Sequence, residues 1–373
     1  MTRSNSSCSM MLVAGGTGGH ILPAIAFGDW ICREKPKINV SYVSGSRAVE
    51  LEIYRYSRIE PFVLSASGSP MGISGMRRFK RFAELAASFF QANHLMKKLS
   101  PDICVLFGGY ISMPALFAGK MRGICSVLHE QNARAGRVTR IAARLRVPIA
   151  SGWKDCEPLS DSRYIKVGVP IRRLKSMMKN EARLFLGVND DDERTPLVTV
   201  MTGSLGSEKL LEVISDLTKL DEFSSWRFLI IDSGINISQS AGKNVTRMPR
   251  MWDISALYAA SDLLITRGGA STLSEIEALG IPSVVAPWRK ASDDHQMKNA
   301  HAVTSEKIEI WDEEEDSLMD LSYKLQRLYT NYCCGNRYTG NLLYNACETG
   351  EKNCRRLWEF IAGFMRGDAG FGS

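Results

Sequence analysis

The stretch LVAGGTGGHILPA (residues 12–24) sets four glycines and a threonine between two apolar runs and closes the loop with His20, one of five histidines in the chain. Glycines in such a turn let the backbone approach a ligand, and the helix that follows offers unpaired N–H groups and a positive dipole end. A histidine at that mouth is placed to exchange protons near neutral pH. The plainer readings are a tight turn needed only for packing and a structural histidine. The spacing is not GxGxxG and no acid ends the next apolar run, INVSYVSG, which disfavours a nicotinamide dinucleotide.

Two later loops have the same form. MTGSLGS (201–207) follows an apolar run and opens a helical pattern, a second phosphate-binding candidate. ITRGGASTLSEIEALGIPSVVAPW (265–288) reads as strand, glycine turn, helix, glycine stop and next strand. Thr272 and Glu275 have capping-box spacing, and Gly280 is placed to end the helix. That helix start could also take a diphosphate while a nearby carboxylate accepts two ribose hydroxyls. In DDHQMKNA (293–300), Asp294, His295, Gln296 and Asn299 form a polar cluster entering a helix. Such amides suit sugar hydroxyls, against the blander reading of a solvated helix start.

The elements that must position these loops repeat in kind. MMLVAGG, INVSYVSG, DICVLFGG and CSVLHEQN in the first half, and PLVTVMTGS, WRFLIIDSG, DLLITRGG and PSVVAPW in the second, are apolar runs ending in turns and followed by helical stretches. They predict parallel strands buried on both faces, hence two doubly wound α/β domains with a seam near VGVPIRRLK (167–175). Ligands of such sheets lie beyond the carboxyl ends of the strands, where these loops are. A length of 373 residues also exceeds what one core serves.

With 45% apolar and 23% charged residues the chain is neither disordered nor fibrous. Its net charge of +7 suits a phosphate-rich ligand or an anionic surface without demanding nucleic acid. No apolar run is long enough to span a bilayer, and Met10 to Ala14 is too short for a signal-peptide core. Nine cysteines form no CxxC and read as reduced cytoplasmic thiols. The cluster Cys333, Cys334, Cys347 and Cys354 fits no zinc template.

GGTGGHILPA, FGGYISMPA, LHEQNARAG, VGVPIR, TGSLGS and RGGASTLSEIEALGIPSVVAPW with DDHQMKNA occur in the order seen in the MurG family. These are bacterial UDP-N-acetylglucosamine transferases that complete the peptidoglycan lipid precursor. The chain resembles them over roughly residues 10–305, and the combination is specific although each loop alone is not. The resemblance implies a GT-B fold, two Rossmann-like domains facing a cleft. An acceptor and membrane-side domain would span 1–170 and a UDP-sugar domain 171–350, with a helical tail over 351–373 returning to the first domain.

It further implies donor contacts from Thr17, Gly18 and Gly19, from Asn132 of HEQN, from Arg172 and from Ser204. Met251 falls at the uracil position. Ala270, Ser271, Thr272, Leu273, Ser274 and Glu275 follow, with Glu275 on the ribose and Gln296 beside Asn299. The activity implied is inverting transfer of GlcNAc from UDP-GlcNAc to lipid I, a polyprenyl-diphosphate-linked muramyl peptide. The product is lipid II, made peripherally at the cytoplasmic face of the cell membrane, without a cofactor or nucleic acid. Three departures are visible. GNPVR of the family reads GVPIR, an Asn after HEQNxxxG is replaced with Thr139 near that place, and RMPRMWDIS lacks the Phe-Ile-acidic pattern before the uracil position.

Inverting transfer needs a base for the acceptor hydroxyl and stabilisation of the departing diphosphate. His20 is the base candidate, its other role being to bind the acceptor diphosphate. Acidic runs NDDDE and EEED read as solvated loops rather than a DxD metal motif. The helix start at Ala270 to Thr272 and Arg172 are therefore expected to stabilise the leaving UDP without a metal. In SGMRRFKRFAELAASFFQANHLMKK (74–98), Arg77, Arg78, Lys80 and Arg81 beside Phe79 and Phe82 form a patch suited to an anionic membrane surface. Phe82, Leu85, Ala86, Phe89 and Phe90 read as a stripe facing the domain core. The rivals are a UDP-sugar transferase with another lipid acceptor and a catalytically silent nucleotide-sugar binder. Retention of both His20 and Glu275 speaks against silence.

Overall fold

The computed structural model describes residues 8–70, 74–188, 195–203, 207–232, 244–290, 294–333 and 342–365. The chain divides into two compact units, Met1–Arg172 with Gly350–Ser373, and Arg173–Thr349.

The first unit holds β1 (Cys8–Val13), α1 (Gly18–Glu34), β2 (Ile38–Ser44), α2 (Ala48–Tyr56), β3 (Phe62–Val63), α3 (Gly75–Leu99), β4 (Ile103–Leu106), α4 (Ser112–Arg122), β5 (Cys125–Glu130), α5 (Arg137–Arg144), β6 (Ile149–Ser151) and β7 (Ile165–Lys166). The second holds α6 (Lys179–Phe185), β8 (Leu197–Met201), α7 (Glu208–Leu217), β9 (Arg227–Asp232), β10 (Val245–Pro249), α8 (Ser255–Ala260), β11 (Leu263–Thr266), α9 (Ala270–Leu279), β12 (Ser283–Val285), α10 (His295–Val303), β13 (Ile308–Ile310) and α11 (Leu318–Leu328). Helix α12 (Leu342–Met365) runs from the second unit into the residues assigned to the first.

Both sheets are parallel, in the orders β3-β2-β1-β4-β5-β6-β7 and β10-β9-β8-β11-β12-β13. In each, the chain reverses its direction of travel across the sheet beside the first strand, between β1 and β4 and between β8 and β11. Loops at such a switch point diverge and leave a crevice at the strands' carboxyl ends. The apolar runs explain the central strands: Met10 to Val13 and Ile103 to Leu106 are almost fully buried because helices cover both faces. All eight runs read as strands are strands. The five others are β3, β6, β7, β10 and β13; β3 and β7 are two-residue edge strands with exposed side chains, too brief for a pattern.

Two local readings need correction. Helix α9 begins at Ala270 with Gly269 as its N-cap, which places Thr272 and Glu275 one turn too deep to form a capping box. Gly280 does end the helix, donating its N–H to the Ile276 and Glu277 carbonyls. On α3 the expected core stripe splits along two adjacent helical ridges. Leu85 and Phe89 pack on the core with buried Ala92 and Met96, whereas Phe82, Ala86 and Phe90, four apart on the next ridge, face outward.

The cysteine cluster also disperses. Cys333, Cys347 and Cys354 lie near the carbonyls of Asp262, Leu174 and Ala26 respectively, and Cys334 lies outside the described residues.

Candidate functional site

In the first unit the two switch-point loops are those of GGTGGH, after β1, and FGGY, after β4. Glu50, fully buried on α2, holds both. Its carboxylate accepts the Gly16 N–H, and its two oxygens lie 2.8 and 3.0 Å from the Tyr110 hydroxyl that donates to them. Arg47 closes the arrangement by donating to the Gly16 carbonyl at 3.0 Å. Burial, reinforced by the Glu50 charge, raises the Tyr110 pKa and keeps its hydroxyl a donor.

Thr17 caps α1 in an extended conformation, its carbonyl accepting the N–H groups of His20 and Ile21 at 3.1 and 3.3 Å. Gly18 is buried, and Thr17, Gly19 and His20 are half-buried at the helix start. A side chain at Gly108 would begin 3.1 Å from His20 Nδ1, so the FGGY backbone lies directly against the imidazole.

The segment HEQN at the end of β5 alternates its side chains as strand geometry requires. His129 and Gln131 share one side: His129 Nε2 lies 2.9 Å from the Gly168 carbonyl, Gln131 Nε2 lies 2.9 Å from His129 Nδ1, and Gln131 Oε1 lies 2.9 Å from His20 Nδ1. Glu130 and Asn132 share the other. The buried Glu130 carboxylate accepts from Asn132 N and Nδ2, each at 3.0 Å, from Gly136 N at 3.0 Å and from Thr139 Oγ1. The threonine noted as a departure thus supplies one of the donors that a buried carboxylate needs. Asn132 commits its amide nitrogen to the same carboxylate. The turn at VGVPIR, which lacks an amide at 169, receives one from α12: Asn353 Nδ2 donates to the Val169 carbonyl at 2.9 Å.

In the second unit the loop Arg267–Gly269 leads from β11 into α9, whose N-terminal residues Ala270, Ser271, Leu273 and Ser274 are buried and Thr272 half-buried. Gln296 and Asn299 shape this loop. Gln296 Oε1 accepts Gly268 N at 3.1 Å and Trp288 N at 2.9 Å, and fully buried Asn299 donates to the Gly268 carbonyl at 3.0 Å. Glu275, 2% exposed, accepts the Tyr258 hydroxyl at 2.7 Å. Met251 is half-buried in the connection from β10 to α8, and Arg172 is half-buried at the end of the first unit's main segment. Ser204 and the acidic run 189–193 lie outside the described residues.

The second acidic run is solvated only in part, with Glu314 and Glu315 exposed. Glu313 pairs with buried Arg267 at 3.0 Å, Glu315 with Arg289 at 2.7 Å and Asp316 with Lys324 at 3.4 Å, because cations on three neighbouring segments converge on it. Among the described residues no cluster of His, Cys, Asp and Glu could hold a metal ion.

At the start of α3, Arg77, Arg78, Phe79, Lys80 and Phe82 are exposed, Phe79 by 73%. Arg78 lies over the Phe82 ring at 5.7 Å. Arg81 differs from its neighbours: it is half-buried, bound to Glu84 at 3.2 Å and to the Ser67 hydroxyl. No described helix is long and apolar enough to cross a membrane.

Sequence reasoning passed over Glu50, Arg47, Tyr110, Gln131, His129, Tyr258 and Arg267. Four of these lie in quoted motifs (Tyr110 in FGGY, His129 and Gln131 in HEQN, Arg267 in ITRGG), but Glu50 and Arg47 sit in SRAVELE, which has no visible signature.

Comparison with known proteins places these loops in context. Residues 10–151 match the glycosyltransferase family 28 N-terminal domain and residues 197–337 its C-terminal domain. A relative from Tolumonas auensis is 31% identical over 80% of this chain and 83% of its own length. One from Ruminiclostridium cellulolyticum is 28% identical over 84% of this chain and 89% of its own. Both are named UDP-N-acetylglucosamine–N-acetylmuramyl-(pentapeptide) pyrophosphoryl-undecaprenol N-acetylglucosamine transferase. The crystal structure of Acinetobacter baumannii MurG superposes with a TM-score of 0.63 at 22% identity, covering 96% of this chain and 99% of that one, a likeness of fold. The two parallel sheets with flanking helices are those of a GT-B glycosyltransferase.

Proposed function

We infer the reaction from one premise: the chain belongs to the MurG family, within glycosyltransferase family 28. It is a hexosyltransferase that moves GlcNAc from UDP-GlcNAc to lipid I and forms lipid II in peptidoglycan synthesis. The observation that carries this is the shared name of relatives aligned over about four-fifths of the chain.

In the mechanism we propose, His20 Nε2 takes the proton of the muramyl hydroxyl while that oxygen bonds to the anomeric carbon. The bond from that carbon to the diphosphate oxygen breaks with inversion, and UDP leaves with the electron pair. The second unit holds the donor. The N–H groups at the start of α9 face the diphosphate, assisted by Arg172 and Ser204, and Glu275 serves the ribose. Met251 offers its backbone to uracil. Thr17, Gly18, Gly19 and Asn132 complete the donor set from the first unit. Gln296 and Asn299 act through the Gly268 backbone they hold. This distribution makes the first unit the acceptor and membrane side.

Incubating the protein with labelled UDP-GlcNAc and a short-chain lipid I analogue, without divalent metal, is expected to yield labelled disaccharide. UDP binding without product would leave a nucleotide-sugar binder. Product that forms only after Mg²⁺ is added would contradict the metal-free departure of UDP.

The enzyme works peripherally at the cytoplasmic membrane face, and the start of α3 is its contact. Three exposed cations there each contribute about 1 kcal/mol near an anionic surface. Replacing Arg77, Arg78 and Lys80 together with glutamate is expected to weaken cosedimentation with phosphatidylglycerol vesicles by about 10²-fold or more. Raising salt should weaken wild-type binding in the same assay, and UDP affinity should not change. Equal vesicle binding by variant and wild type would remove this surface as the contact.

A further inference from the structure

We propose that Gln131 is a positioning residue: with His129 it forms a hydrogen-bond chain, oriented by the Gly168 and His129 backbone carbonyls, that holds the His20 imidazole in its Nδ1–H form and leaves Nε2 as the proton-accepting atom. The proposal rests on the reading of His20 as the base. Its direction follows from groups that can only accept.

The Gly168 carbonyl lies 2.9 Å from His129 Nε2, so that nitrogen carries a proton. Complete burial holds His129 neutral, depressing its pKa to about 4, and its Nδ1 therefore keeps a lone pair. One nitrogen of Gln131 lies 2.9 Å from that lone pair and 3.0 Å from the His129 carbonyl. With its oxygen there instead, the side chain would face two acceptors, so the amide has one allowed orientation. Its oxygen then points to His20 Nδ1 at 2.9 Å and must receive a proton from it. The chain is the same whether His20 is neutral or cationic, so its proton exchange is confined to Nε2.

The frame around the chain is rigid. Gln131 and His129 are 1% and 0% exposed, and the Trp153 indole N–H fixes the Gln131 carbonyl at 2.7 Å. A packing role alone would be satisfied by either His20 tautomer; this chain admits one. An imidazole free in water favours the opposite tautomer, with the proton on Nε2, which cannot accept another there.

Ring-nitrogen NMR of the full-length protein labelled with ¹⁵N-histidine, at mildly alkaline pH, reads the tautomer directly. The spectrum of His20→Ala identifies the His20 signals. Wild type is expected to show a protonated Nδ1 and a bare Nε2. Gln131→Met, close in size but without the acceptor, should move the proton toward Nε2. It should also lower kcat by about 10- to 100-fold, the usual worth of a partner that orients a ring, with KM for UDP-GlcNAc unchanged. A wild-type His20 protonated on Nε2, or one tautomer shared by wild type and Gln131→Met, would overturn the proposal. The wild-type spectrum decides even if the variant does not fold. Full turnover by His20→Ala would remove the base reading, while the tautomer comparison would still test the chain.

Discussion

Replacing His20 with alanine is expected to lower the rate constant for sugar transfer by about 10²–10⁴-fold, the span that general-base catalysis supplies, and to leave UDP affinity unchanged. The loss is confined to turnover because the imidazole does not support the loop. Glu50 and Arg47 hold the Gly16 peptide groups, and the Thr17 carbonyl is bound by backbone N–H groups that alanine retains. The residues proposed for the nucleotide lie mostly in the second unit and keep their own supports, Glu275 on Tyr258 and the Gly268 turn on Gln296 and Asn299. Calorimetric titration with UDP beside steady-state kinetics separates the two effects. Turnover within a few-fold of wild type would leave His20 only as a ligand for the acceptor diphosphate.

The strands and loops of this fold could be read from the chain because continuous apolar runs ending in glycine have few other uses. Each such run became a parallel strand, and the described glycine turns after β1, β4 and β11 came to rest at carboxyl ends. What holds the loops was hidden. Glu50 sits three residues after Arg47 in an ordinary helix start, and nothing in SRAVELE announces a carboxylate that must satisfy a peptide N–H from one loop and a phenol from another. Gln131 and Glu130 were visible inside HEQN, but only strand alternation sends one toward His20 and the other toward Thr139. The amides of Gln296 and Asn299 were read as partners for sugar hydroxyls from their type alone. What tertiary structure adds is the backbone that Gln296 Oε1 and Asn299 Nδ2 also hold, which the chain alone does not bring near them. Asn353 illustrates the same limit, since the last helix shows an amphipathic pattern but not which strand end its amide will reach.

Gly109 should be the least replaceable position of the FGGY loop. Its φ is +74°, and a methyl group built on it would overlap the Gly15 carbonyl and stand 3.4 Å from His20 Cδ2. Neither backbone can yield freely. Gly109 accepts the Ser112 N–H at 3.2 Å and Phe107 N–H is bound to the Val13 carbonyl at 2.8 Å, while the opposing Gly16 peptide is held by Glu50 and Arg47. Relief therefore requires moving the His20 loop itself. Gly123, which ends α4 at φ +67° with nothing within 4 Å, provides the control for backbone strain without overlap. Gly123→Ala is expected to cost about 1–2 kcal/mol, the penalty of an L-residue in the left-handed region. Gly109→Ala should cost a further 1–3 kcal/mol or so from the overlap. It should also lower kcat by about 10²-fold, because a displacement near 1 Å of a reacting group has that effect. Urea denaturation and steady-state kinetics on the two variants measure both quantities. Equal stability and equal turnover in the two would mean that the FGGY loop does not hold the His20 loop in place.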